Sequence, residues 1–285
     1  MMFKRRLAAA IVIGWYMAVI CFWAFGHTAT VALAGPAAPA EPAEFAADLP
    51  QLHQRQLLLE QAARQAAADM AARDAYAAAH PPAPCLALTF DDGPSETVTP
   101  LLLDLLYQRG VKATFFMLGV NAAAYPETVM RAAAEGHQIC SHGWDHRYKF
   151  TRMDERQLSE ELQRTDQQIL AACGVTPLYV RPPYGAINDD VAEMIGRPVM
   201  MWSIDPRDWQ YRDADRVARH IVDHAADGAI VICHDLYPST AQGVAQAVDT
   251  LLERGWEFVT LEELYHRRGL ELRDGVIYYG KQGSR

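Results

Sequence analysis

Leu86-Ala87-Leu88-Thr89-Phe90-Asp91-Asp92-Gly93-Pro94 decides how the rest of the chain reads. The apolar run from Leu86 to Phe90 has the length of a short buried strand, and Gly93-Pro94 stops it. Two adjacent carboxylates at a strand end repel each other, and in a core both carry a desolvation cost. A cation beside them is therefore expected. A metal held by one carboxylate would leave the other free as a base. For the pair taken alone, an acidic turn after an ordinary strand is the plainer alternative.

Outward from this strand the pattern repeats. Candidate strands lie near 85–90, 113–118, 137–140, 178–181, 199–204, 229–233 and 257–260. Helices separate them with legible punctuation. Thr99-Pro100 opens one that stops at Gly110, and another ends at Gly136. A long one runs from about Asp154 to Gly174, a further one from about Asp213 to Gly228, and another from about Ala241 to Gly255. Six or seven β-α units in a row predict an α/β fold with a parallel sheet. Polar clusters recur at the C-terminal ends of successive strands, which favours a closed or partly open barrel over a doubly wound sheet. No glycine-rich phosphate loop follows the first strand, so a nucleotide fold is disfavoured.

Length and composition bound the possibilities. The 285 residues are 51% hydrophobic, enough for one large domain with appendages. A formal net charge of −9 argues against a nucleic-acid partner, which would favour a basic face. The five cysteines, at 21, 85, 140, 173 and 233, form no C-x-x-C pair. They are neither a disulfide framework nor a cysteine-rich zinc site, and most read as small core residues.

Lys4-Arg5-Arg6 precedes an uncharged, nearly all-apolar stretch from Leu7 to Phe25. Basic residues before an apolar run mark an export signal or a membrane anchor, and the run is long enough to span a bilayer as a helix. Trp15, Tyr16 and Trp23 make it bulky, which favours an uncleaved anchor; Ala32-Leu33-Ala34 before Gly35 offers a cleavage site as the alternative. Either way the remainder is expected outside the cytoplasm, in the periplasm or at the cell surface. The expected divisions are an anchor or signal over 1–34, an Ala/Pro-rich linker over 35–50, a helical stalk over 51–80, the main domain over 81–268 and a tail over 269–285.

The chemistry lies at the strand ends. His142-Gly143-Trp144-Asp145-His146 follows the third strand, and histidines at i and i+4 can point the same way on a helical turn. With Asp92 they supply three ligands and leave a position open, the composition of a catalytic metal site. Arg181-Pro182-Pro183-Tyr184-Gly185 brings a guanidinium able to grip a carboxylate in fork geometry, on a stiff loop that can aim a backbone N–H. Asp205-Pro206-Arg207-Asp208-Trp209 and Ile232-Cys233-His234-Asp235 complete the set. A histidine at a strand end beside a loop aspartate is a candidate for a raised pKa and general-acid work.

Taken together, these segments make the chain from about Cys85 to His266 resemble the polysaccharide deacetylases with a NodB homology domain, carbohydrate esterase family 4. The resemblance implies a distorted (β/α) barrel and removal of N-acetyl groups from a GlcNAc-type polysaccharide. It implies that Asp91 is the general base acting on a metal-bound water. Asp92, His142 and His146 would hold a divalent metal, zinc first among candidates. Arg181 would orient Asp91, the Tyr184 backbone N–H would meet the oxyanion, and His234 would be the general acid tuned by Asp208. Trp209 and Ile232 would wall the acetyl pocket. An O-acetyl esterase and a non-catalytic carbohydrate-binding relative are the alternatives. One departure is Gly143, where the family usually has Ser or Thr; loss of that hydroxyl predicts a less rigid histidine loop.

Overall fold

The computed structural model describes Leu57, residues 60–61 and 63–72, and residues 83–280. The apolar stretch from Leu7 to Phe25, the linker over 35–50 and most of the expected stalk lie outside the described residues. Among the described residues no helix is long and apolar enough to cross a membrane. Residues 63–72 are helical and exposed.

The main body is an α/β fold built on a parallel sheet. Strand β1 (Cys85–Asp91) pairs in parallel with β5 (Ala229–His234) along its length, with β2 (Thr114–Met117) at its C-terminal end and with β6 (Glu257–Phe258) at its N-terminal end. Strand β3 (Gln138–Ser141) continues the sheet beyond β2. A second small parallel pair joins β4 (Val199–Met200) to β7 (Ile277–Tyr278). Single-residue parallel bridges connect the two, from Ser141 to Val180, from Val180 to Val199 and from Ile204 to Val231. From β3 the bridges lead through Val180 to Val199, and the chain from Val199 to Ile204 leads back to β5.

Alternation along β1 explains its unbroken apolar run. Leu86, Leu88 and Phe90 point into one core cluster with Leu102, Leu103, Leu106, Val217, Ile221, Val244 and Val248. These partners come from α1 (Val98–Gln108), α7 (Ala214–His224) and α8 (Pro238–Glu253). Cys85 and Ala87 point the other way, into a cluster with Phe116, Cys140, Tyr179, Met200 and Ile230. Both faces are buried, as a parallel strand requires. On the second face the sequence turns from Cys85 and Ala87 to Thr89 and Asp91, so this face is apolar below and polar at the C-terminal end.

Two shorter helices, α2 (Gly119–Ala124) and α3 (Pro126–Ala134), fill the β2–β3 crossover. Capping fixes the longest helix, α4 (Glu155–Cys173). Asp154 accepts from the Gln157 amide while the Gln157 side chain accepts from the Asp154 amide, and Gly174 ends the helix at φ 75°. The remaining helices are α5 (Asp189–Ile195), α6 (Asp208–Tyr211) and α9 (Leu261–Arg267).

Several elements differ from expectation. The strand near 178–181 is reduced to one residue, Val180, which bridges Ser141 and Val199, because Pro177 and Pro182-Pro183 bracket it and prolines give no ladder N–H. The helix expected from Asp213 to Gly228 stops at His224. The stretch over 269–285, expected to be a tail, contributes β7, with Ile277 and Tyr278 buried in the core. Cys85, Cys140, Cys173 and Cys233 are all buried; Cys21 lies outside the described residues.

Candidate active site

The site forms where β1, β3, β5 and the loop after Val180 end together. Asp91 closes β1, and its carboxylate oxygen Oδ1 accepts from Arg181 Nη1 at 2.7 Å. Arg181 is fully buried. Its other donors go to Thr89 Oγ1 at 2.7 Å, the Met200 carbonyl at 2.8 Å and the Met201 carbonyl at 3.0 Å. The guanidinium also lies 4.0 Å from the centre of the Phe116 ring. It does not present the expected fork to Asp91. One arm meets the carboxylate while the others anchor it to the backbone, so a buried charge is satisfied and Asp91 Oδ2 is left unclaimed by it.

Asp92, the next residue, turns away from the strand at φ 74°. Its carbonyl accepts from Asn121 Nδ2 at 2.7 Å, which holds this unfavoured conformation. Gly93 must follow, because a Cβ there would fall 2.1 Å from Asp235 Oδ2. The Asp92 carboxylate meets two imidazoles, His142 Nε2 at 3.4 Å and His146 Nε2 at 3.7 Å from Oδ1. The ligand atoms of Asp92, His142 and His146 all lie within 4.8 Å of one another.

The histidines do not sit on the expected helical turn. Residues 142–146 form an irregular loop with Gly143 at φ 82° and His146 at φ 59°, which sets the two rings 5.3 Å apart. His142 Nδ1–H donates to the Arg181 carbonyl at 2.7 Å, so its Nε2 lone pair faces Asp92. The His146 carbonyl accepts from the Tyr184 hydroxyl at 2.7 Å, and the two rings lie 4.2 Å apart.

These residues fit a divalent cation. Asp92 Oδ1 is buried and accepts no hydrogen bond, an orphaned anionic oxygen between two imidazoles. One carboxylate and two imidazoles are the donor set of a catalytic zinc or cobalt site. Burial works to raise the Asp92 carboxyl, but the neighbouring His142, with His146 and His234 adding, holds it down at about 2. Burial opposes charge on His142 as well, yet Asp91 and Asp92 lift its pKa above the ordinary value.

On the opposite side, His234 closes β5 in register with Asp91. Asp208 is fully buried and accepts from the His234 amide at 2.7 Å, from His234 Nδ1–H at 2.9 Å and from Thr240 Oγ1 at 2.8 Å. Burial pulls the imidazole down, but the Asp208 hydrogen bond and charge, with Asp91 and Asp92 adding, push it up to about 9. Ile232 lies two residues earlier on the same face of β5 and is buried, whereas Trp209 is exposed on α6. Tyr184 occupies a left-handed turn at φ 63° that aims its peptide away from the loop's ordinary course.

Of the ten residues singled out in the sequence, Asp91 and His234 end strands, Ile232 lies within β5, Asp92, His142, His146, Arg181 and Tyr184 lie on loops and turns, and Asp208 and Trp209 open α6. Others escaped the sequence reading. Thr89 shares the inner face with Asp91 and was legible from the period of two. Asn121, Thr240 and Glu161 lie on helices and carry no local signal. Glu161 accepts from the Trp144 amide at 2.8 Å, so the loop has a support that Gly143 cannot give.

The sequence profile described as polysaccharide deacetylase matches residues 78–197. A peptidoglycan-N-acetylglucosamine deacetylase of Listeria monocytogenes is 44% identical over 70% of this chain, which spans only 42% of that relative's length. The solved T48 deacetylase with substrate is 38% identical, with a TM-score of 0.66 over 69% of this chain and 96% of its own. A family 4 acetyl xylan esterase from Clostridium thermocellum, solved with a cobalt ion, is 28% identical, with a TM-score of 0.66 over 70% of this chain and all of its own. The site, the profile and these likenesses agree: the chain belongs to the polysaccharide deacetylase family.

Proposed function

We propose that this protein is an exported, metal-dependent hydrolase that removes N-acetyl groups from a GlcNAc-type polysaccharide, a cell-wall or extracellular glycan. It would release acetate and leave a free amine. The observation that carries the reading is the pairing of an Arg181-bound Asp91 with a separate Asp92-His142-His146 cluster, flanked by the His234–Asp208 pair. The printed substrate of the Listeria relative supports the glycan class. The single-residue bridges that link β3 through Val180 to Val199, and Ile204 to β5, support a distorted (β/α) barrel.

Asp92, His142 and His146 would hold a divalent metal, zinc first, which when bound supplies Lewis-acid charge and acidifies water. Asp91 Oδ2, free of Arg181, takes the proton of the attacking water. Arg181 holds that carboxylate in place. His234 donates a proton to the departing amine nitrogen; with Nδ1 committed to Asp208, Nε2 carries it. The Tyr184 amide donates to the developing oxyanion, and Trp209 with Ile232 borders the acetyl methyl.

The deciding experiment supplies zinc-loaded protein with peptidoglycan, chitin oligomers, a β-1,6-linked N-acetylglucosamine polymer and acetylated xylan. Acetate and new amines are then measured. Acetate from the N-acetylated glycans is the expected result. Release from xylan alone would make it an O-acetyl esterase, and no release with any added metal would make it a binding protein. The basic residues and apolar run from Lys4 to Phe25 support export and anchoring. Retention of the protein in membranes through a carbonate wash tests the anchor, and a soluble form beginning at Gly35 would establish a cleaved signal.

A further inference from the structure

We infer that Glu161, in the middle of α4, is a positioning residue that sets the metal-ligating loop; the inference rests on the metal reading of Asp92, His142 and His146. Residues 142–146 belong to no helix or strand, so their backbone groups have no ladder to fix them. On one side the loop is tied to the β2–α2 junction. The His142 amide donates to the Met117 carbonyl at 3.0 Å, and the Gly119 and Val120 amides donate to the carbonyls of Gly143 and Trp144 at 3.0 Å each. On the other side Glu161 Oε1 accepts from the Trp144 amide at 2.8 Å.

The same helix grips the Trp144 side chain. Arg164, three residues beyond Glu161 and so on the same face, lays its guanidinium 3.5 Å from the centre of the indole ring. Backbone and side chain of the residue midway between the two histidines are thus both held by α4.

Gly143 shows why a distant carboxylate is needed. Its φ of 82° is a conformation that side chains resist, and a Cβ there would come within 3.0 Å of the Phe150 ring. Any side chain at position 143 would be strained and crowded, and glycine offers none to support the loop from within. Glu161 Oε1 lies 3.4 Å from that Cβ position, beside the space a side chain would need. His146, at φ 59°, is held in an unfavoured conformation, so loss of the Trp144 anchor would let the second ligand drift from the first.

The test measures metal affinity of the metal-free protein by competition with a chromophoric chelator, and the visible absorption of the cobalt(II) form. Glu161→Ala removes the acceptor, and zinc affinity is expected to fall by about 10- to 100-fold, the range for loss of an outer-shell support, with an altered cobalt spectrum. Glu161→Gln keeps an acceptor oxygen and is expected to retain the parental spectrum and an affinity within about threefold, well short of that outer-shell loss. Should Glu161→Ala not fold, Glu161→Met, of similar length but without a strong acceptor, takes its place with the same expectation. Parental affinity in the Ala or Met variant overturns the role of Glu161 alone. Equal losses in Gln and Ala variants overturn it too, since an acceptor would then not be what matters. A parent protein that takes up neither zinc nor cobalt overturns the metal reading, and this proposal with it.

Discussion

Asp91 and His234 are register partners on adjacent parallel strands, β1 and β5. Each is the last residue of its strand, and each is held from behind by a fully buried, oppositely charged side chain, Arg181 for Asp91 and Asp208 for His234. The backbone ladder therefore sets the separation of the carboxylate and the imidazole. Each buried partner is itself fully hydrogen-bonded, Arg181 to main-chain carbonyls and Asp208 to Thr240 and the His234 amide. This is how two charges can sit at the edge of a core without the usual desolvation cost deciding the matter.

The His234–Asp208 pair predicts a pH profile. A raised pKa means that His234 keeps its proton until pH passes about 9, so a role as proton donor is present below that value and lost above it. In Asp208→Asn the hydrogen bond and the charge that lift it are both weakened. The alkaline limb of kcat should then move down toward the ordinary histidine range. A profile whose alkaline limb is unchanged in Asp208→Asn would exclude His234 as the titrating acid.

Gly143 predicts an unusual response to a conservative change. Gly143→Ser would restore the hydroxyl expected at this position, yet the backbone at φ 82° resists a side chain and its Cβ would crowd the Phe150 ring at 3.0 Å. Left-handed strain costs about 1–3 kcal/mol, so the variant should unfold at lower temperature and bind metal less tightly. Combining it with Phe150→Leu removes the ring contact and should recover part of the loss. Calorimetric unfolding of the single and double variants checks both steps. A Gly143→Ser protein as stable as the parent would mean that the loop has another accessible conformation.

How much of this was legible beforehand differs by element. The apolar run of β1 with its acidic end, the capping of α4 between Asp154 and Gly174, and the polar strand ends each follow from local chemistry. The alternation of Thr89 with Asp91 was legible too. By contrast, the expected fork of Arg181 on Asp91 ignored the competing carbonyls of Met200 and Met201, which come from a strand 19 and 20 residues away. The expected looseness at Gly143 missed Glu161, because a half-buried acid on a helix face has the same sequence signature as a solvated one. The tail beyond 269 hid β7, whose two residues are too few for a periodic signal. Long-range partners were the illegible part, and they are what rigidify the site.

Metal removal should register in stability as well as in activity. A cation held by Asp92, His142 and His146 binds the folded chain and not the unfolded one, so it stabilises by mass action, by about 2.7 kcal/mol at a hundredfold excess over Kd. The Tm should fall when a chelator strips the protein and recover on adding zinc or cobalt. Asp92→Ala should show a low Tm that added metal does not change. A parental Tm insensitive to both chelator and metal would count against the ligand set.

The adjacent aspartates allow base and ligand to be separated by one pair of variants. Asp91→Asn keeps the size of the side chain and an oxygen for Arg181 Nη1 to donate to, so the fold should survive. The negative charge that balances a fully buried guanidinium is lost, however, and some stability with it. Metal content should be nearly unchanged, because Asp91 lies 3.8 Å from His142 Nε2 and outside the Asp92-His142-His146 cluster. A positioned base contributes roughly 10²–10⁴ in rate, and kcat should drop by that order whatever the metal concentration. Asp92→Asn instead replaces the orphaned anionic oxygen with a neutral one and should weaken metal binding, with activity partly restored by excess zinc. The readouts are elemental analysis after gel filtration and kcat against added zinc for each variant. If added zinc rescues Asp91→Asn and leaves Asp92→Asn inactive, the two roles are exchanged and the mechanism proposed above fails.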